Sequence, residues 1–133
     1  MIARLKARGC AGAVTDGGFR DTADIVALGF PAFHSGPATP SSPIRHHPAD
    51  LNLPIGCGGV AVYPGDIVVS DSDGVIVIPR HLADEVAAEA MAMTEYEAFA
   101  AEQVAQGRSI FGLFPSTEES RAEFALWKDG PAV

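Results

Sequence analysis

Gly17, Gly18, Phe19, Arg20 and Asp21 place two glycines, a guanidinium and a carboxylate in five consecutive positions. Arginine offers a planar fork of donors that matches a carboxylate or a phosphate. Aspartate offers a hard oxygen ligand for a divalent cation. The glycines remove two β-carbons where the chain must turn, so backbone can approach another group closely. Together these residue types suit binding of a small anion beside a metal ion. Asp21 is equally a good N-cap for a helix starting at Thr22, with Asp24 as a weak capping-box partner. The two roles are compatible, because a cap can share a lone pair with a cation.

The elements that must position this motif are a strand and a helix. Ala13 to Asp16 reads as a short buried strand, and Thr22 to Leu28 as a short helix. A strand end leading into a helix N-terminus is where α/β proteins collect anions. Upstream, Ile2 to Arg8 reads as the tail of a helix stopped by Gly9, with no N-terminal cap. Downstream, Phe30 and Phe33 are expected in the core. Ser35 to Pro43, rich in proline and small polar residues, is expected to be an irregular loop.

The 133 residues suffice for one domain with a real core. A hydrophobic share of 47% against 20% charged residues describes a globular chain and excludes disorder. No apolar run is long enough to span a membrane, and the first residues lack the apolar core of a signal peptide. A cytoplasmic protein with no membrane partner is expected. Cys10 and Cys57 lack paired spacing and are expected as buried free thiols. The net charge of −8 is uneven. Residues 84–129 hold ten carboxylates and three bases (−7), and residues 1–83 hold seven and six (−1). With no basic cluster, nucleic acid is not an expected partner. The acidic C-terminal helices are either a solvated face or a dock for a basic protein.

Ile55 to Pro79 reads as a β-meander. Its strands are Val60–Tyr63, Ile67–Val69 and Val75–Ile78, and its turns Pro64-Gly65-Asp66 and Asp71-Ser72-Asp73-Gly74. His46, His47 and Asp50 invite a metal reading, but adjacent histidines on an extended segment point apart, which favours a polar surface or subunit contact. A long helix is expected from about His81 to Gln106, with a stripe through Leu82, Val86, Ala90, Met93, Tyr96 or Glu97, Ala100 and Val104. Ile110 to Pro115 is expected to run extended. Ser116-Thr117-Glu118-Glu119 then reads as a capping box for a last helix packing Phe124 and Trp127.

Taken in order, these blocks resemble one family. The run Gly9 to Asp21 resembles its G-x-x-G-x-V-x-D-G-x-x-R-D block. Leu28 to Phe33, Cys57 to Asp66 and Asp71 to Pro79 follow in the family's order. This is the RraA-like family, the group of 4-hydroxy-4-methyl-2-oxoglutarate aldolase and the regulator of ribonuclease activity A. The resemblance covers residues 1 to about 106 as an RraA-like aldolase domain, leaving 107–133 as a C-terminal extension with a short helix. It implies an α/β class and a swivelling α/β/β sandwich, assembled as a homotrimer or hexamer with sites at subunit boundaries. It also implies that family members carry an N-terminal portion supplying a further aspartate and a glycine-rich loop. That portion has no counterpart here, so an N-terminally truncated domain with half a site is the expectation.

The resemblance further implies a metal-dependent lyase that cleaves 4-hydroxy-2-keto diacids to pyruvate and decarboxylates oxaloacetate. Arg20 would be catalytic and bind the 2-keto acid together with Gly17 and Gly18. Asp21 would hold Mg²⁺ or Mn²⁺, and Glu95 or Glu97 would be the acidic residue lent to an adjacent subunit. The chain's own composition agrees with this aldolase class. A Schiff-base aldolase needs a buried lysine, and the only lysines, Lys6 and Lys128, lie near the termini. The other implied readings are a non-catalytic acidic regulator of a protein such as a ribonuclease, and an inactive fragment.

Overall fold

Ile2 and Ile25 anchor two short helices, α1 (Ile2–Ala7) and α2 (Thr22–Ala27), on one apolar cluster with Phe30. The structure is a computed structural model, and it describes residues 1–41, 44 and 47–130. Leu5, Phe19, Leu28 and Ala32 complete the cluster. Gly9 ends α1 at φ 81°, a left-handed turn that glycine adopts without a β-carbon penalty. Past it, Cys10 is exposed and Cys57 half-buried; both thiols are free as expected, but neither is fully buried.

The chain falls into two units, Met1–His81 and Leu82–Val133. In the first, β1 (Ala13–Val14) pairs in parallel with β3 (Ala32–Phe33), and β2 (Gly18–Phe19) in parallel with β4 (Gly36–Pro37). The strand β4 corrects the expectation of an irregular segment from Ser35. Pro37 lacks an N–H, but the ladder is carried by its neighbours. Ser35 N–H donates to Gly17 O at 2.9 Å and Ala38 N–H to Phe19 O at 2.8 Å. The His46–His47 reading falls partly outside the described residues, since His46 is not among them.

The expected meander is present as two separate hairpins. β5 (Ile55–Cys57) pairs with β6 (Val60–Val62), and β7 (Ile67–Ser70) with β8 (Val75–Ile78), both antiparallel. Gly58 and Gly59, at φ 59° and 82°, form the two-residue turn between β5 and β6. Between β6 and β7 the chain turns away. The Asp66 carboxylate accepts Tyr63 N–H at 2.8 Å and Arg80 N–H at 3.2 Å, fixing a turn in place of a third ladder.

In the second unit, helix α3 (Ala83–Ala105) follows a 3₁₀ turn at Arg80–Leu82, and α4 (Glu118–Lys128) packs on its later half. Phe99, Ala100 and Leu113 are buried there with Tyr96 and Phe124 against them. The stripe drawn from the sequence is buried only in part, since Leu82, just before α3, and Ala90 and Met93 in its earlier half are exposed. The reason is length: α3 runs about 35 Å and the 11-residue α4 about 16 Å. Ile110 to Phe114 forms a turn, not the expected extended run, with Leu113 and Phe114 N–H groups both donating to Ile110 O. Thr117 and Ser120 close a reciprocal capping box at the start of α4, as Ser116-Thr117-Glu118-Glu119 suggested but with serine in the third position. The α/β class expected from the sequence holds, with small sheets and helices mixed.

Candidate functional site

The five-residue motif spans β2 and the entry to α2, and each glycine has a distinct mechanical duty. A β-carbon on Gly18 would stand 2.7 Å from Ala38 Cβ and 2.8 Å from Gly36 O, so only glycine lets β2 lie this close to β4. Gly17 is held by its neighbours. Its N–H donates to Thr15 Oγ1 at 3.0 Å, and its carbonyl accepts from Ser35 Oγ at 3.0 Å. The motif is therefore clamped on both sides before Arg20 and Asp21 emerge.

Asp21 occupies the N-cap position of α2 with φ 61° and ψ 39°, the left-handed region. Few residues other than glycine take this conformation, and aspartate is one that tolerates it. Its side chain makes no capping hydrogen bond. The cap role weighed from sequence is thus not realised, because the left-handed backbone turns the carboxylate away from the first-turn N–H groups. Asp21 Oδ2 instead accepts from Arg20 Nε at 3.1 Å. Both side chains are about half exposed (52% and 57%), so this contact contributes little to stability. Among the described residues no other hydrogen bond engages the Arg20 guanidinium.

Arg20 and Asp21 stand on the wall between two surface depressions. One, of about 320 Å³, is bounded by Gly18, Asp24, Ile2 and Leu28 as well as the pair. The other, of about 390 Å³, lies against Thr22, Pro37 and Thr39. Gly18 borders the first depression and Gly17 neither. Asp24, read from sequence only as a capping partner, brings a second carboxylate to the same hollow. Its three-residue offset from Asp21, one turn along a helix, is the signal that could have found it.

The acidic residues proposed for an adjacent subunit lie on α3. Glu95 is ion-paired with Lys128 of α4. Glu97 is exposed, and among the described residues its side chain makes no ion pair. No group of three His, Cys, Asp or Glu side chains suited to a metal exists among the described residues. A cation held here would meet one or two carboxylates and keep water in its other positions. Mg²⁺ commonly binds that way, so the donor set fits a hard ion of that kind.

Residues 1–77 match the RraA-like family, described as Aldolase/RraA. The chain belongs to this family. Within the RraA-like proteins, it is 41% identical over 86 residues to a Halalkalibacterium halodurans protein provisionally named a 4-hydroxy-4-methyl-2-oxoglutarate aldolase. That match covers 65% of this chain and 40% of the relative. A Thermus thermophilus protein named 4-hydroxy-4-methyl-2-oxoglutarate aldolase is 33% identical over 82 residues, covering 59% and 48%. A solved structure of an uncharacterized protein from Pseudomonas syringae pv. tomato superposes with a TM-score of 0.77 at 29% identity, covering 84% of this chain and 56% of that one. The chain spans about half the length of the curated RraA-like relatives it matches. No described helix is long and apolar enough to cross a membrane.

Proposed function

We infer that the chain serves a divalent-metal-dependent lyase that cleaves 4-hydroxy-2-keto diacids to pyruvate and also decarboxylates oxaloacetate. The observation carrying this reading is the exposed Arg20–Asp21 pair, with Asp21 held in a left-handed conformation that serves no cap. Backbone cost at a residue with no local structural return is characteristic of a functional position.

In this reading Asp21, with Asp24 beside it, holds Mg²⁺ or Mn²⁺. When bound, the cation supplies Lewis-acid stabilisation of negative charge on the keto oxygen. Arg20 binds the 2-keto acid and faces the oxygen where charge develops. In aldol cleavage the bond between C3 and C4 breaks and its electron pair stays on C3, giving pyruvate enolate. The C4 hydroxyl loses its proton as the new carbonyl forms. Oxaloacetate loses CO₂ and leaves the same enolate, so one site serves both reactions. Among the described residues no histidine lines either depression, and with Asp21 and Asp24 engaged by the cation, water is the proton acceptor. The lysines favour the same class: Lys6 donates to Leu28 O and Lys128 pairs with Glu95, both at the surface, where neither suits a Schiff base. Glu97 is the carboxylate better able to reach an adjacent subunit of a homotrimer or hexamer, since Glu95 is engaged by Lys128.

The test is pyruvate release from oxaloacetate by the purified chain with Mg²⁺. Arg20→Ala is expected to lower the metal-dependent rate by about 10²-fold or more. An unchanged rate in that variant overturns the assignment. The competing regulator reading draws on Asp84, Glu85 and Glu89, all exposed on α3. It predicts salt-sensitive capture of a basic protein with no turnover.

A further inference from the structure

Where β6 ends and β8 runs out, the first unit forms a hollow of about 550 Å³ lined by Ala61, Tyr63, Asp66, Pro79, Arg80 and His81. It shares no wall residue with the two depressions at Arg20 and Asp21. Three kinds of hydrogen-bond donor border it: a guanidinium, an imidazole and a phenol. We propose that this hollow binds a phosphoryl group, carried by a small monoester or as free phosphate, with the Arg80 fork as its anchor.

The wall's carboxylate builds the hollow without neutralising it. Asp66 Oδ2 accepts Tyr63 N–H at 2.8 Å and Oδ1 accepts Arg80 N–H at 3.2 Å, so both oxygens tie the ends of the loop together through backbone. Among the described residues no hydrogen bond or ion pair engages the Arg80 guanidinium, the His81 ring or the Tyr63 hydroxyl. The guanidinium is placed by packing instead. Gly65 turns at φ 97°, and a β-carbon there would stand 3.5 Å from Arg80 Cδ and 3.7 Å from its Nη1, so the side chain lies along bare backbone. An arginine positioned this way keeps its whole fork for a ligand. A phosphoryl group presents three acceptor oxygens and nearly two negative charges at neutral pH. The fork takes two of those oxygens, and imidazole and phenol can each donate to the third. A carboxylate, with two oxygens, would leave donors unmatched. Ala61, Pro79 and the Tyr63 ring make the rest of the wall apolar, which suits the short carbon body of a monoester.

Two-dimensional NMR of the full chain, titrated with inorganic phosphate at an ionic strength held constant with sodium chloride, tests this. The Gly65 and Arg80 amide signals and the His81 ring signals should shift saturably. Arg80→Gln removes the charge and keeps the backbone N–H that Asp66 holds, so the loop is retained while affinity falls more than about tenfold. Arg20→Ala should leave these shifts as in wild type, since Arg20 does not border the hollow. Glycerol 3-phosphate distinguishes the two sources. Tighter binding than inorganic phosphate assigns a monoester, equal or weaker binding assigns the free ion, and both support a phosphoryl site. Absence of a saturable shift overturns the proposal, as does an Arg80→Gln chain that binds phosphate like wild type. So does acetate binding as tightly as phosphate. The acetate comparison needs no variant and decides the matter if Arg80→Gln does not fold.

Discussion

Asp21 separates a structural account of the motif from a functional one, because the two predict opposite consequences of one substitution. A capping aspartate is missed when removed, at about 1 kcal/mol for alanine and roughly a few tenths of a kcal/mol for glycine. A left-handed aspartate that caps nothing is instead relieved by glycine. Asp21→Gly is therefore expected to leave thermal stability unchanged or raise it by up to about 1 kcal/mol, while abolishing metal-dependent pyruvate release. A clear fall in melting temperature would return Asp21 to a scaffold role. Gly18→Ala should behave in the reverse way. Its new methyl meets the Gly36 carbonyl, which is backbone and cannot rotate aside, so a loss of about 1–3 kcal/mol is expected in a denaturant titration. The adjacency of Arg20 and Asp21 was legible in the sequence because both lie in one five-residue stretch. The reason Gly18 must be glycine was not, because Ala38 lies twenty residues away and only the β2–β4 pairing brings it near.

Elements were more legible than their partners. Three of the four hairpin strands could be read from their β-branched residues and turns, because strand propensity and turn chemistry are local; β5 could not, because its glycine and cysteine carry little strand signal of their own. Which strand pairs with which could not, because the Asp66 carboxylate closes a turn that withdraws β7 from β6. In α3 the apolar spacing predicted a stripe along the whole helix. The structure buries only the part that the shorter α4 reaches, and a helix's own sequence does not encode its partner's length. Phe99 escaped notice for the same reason: its burial depends on Phe124 and Trp127 arriving from α4. Tyr96 ties that packing together. Its hydroxyl donates to Leu113 O at 3.0 Å and lies 3.0 Å from Ser120 Oγ, a fully buried side chain. Tyr96→Phe keeps the ring and removes both bonds, so a loss of about 1–2 kcal/mol is expected on thermal melting. No change would mean that Ser120 is satisfied within the capping box, where it donates to the Thr117 carbonyl at 3.1 Å and accepts Thr117 N–H at 2.9 Å.

Across the whole molecule, charge is segregated along the chain: residues 84–129 carry −7 and residues 1–83 carry −1. Salt therefore tests what the acidic helices do. Capture of a basic protein is an attraction between exposed charges, and added salt screens it over a Debye length of about 10 Å at 0.1 M. Capture should therefore weaken steadily as sodium chloride rises in a pull-down. A solvated helix face predicts no capture at any salt concentration. Capture that persists at 1 M salt, where the Debye length is about 3 Å, would place the contact on apolar groups and not on these carboxylates.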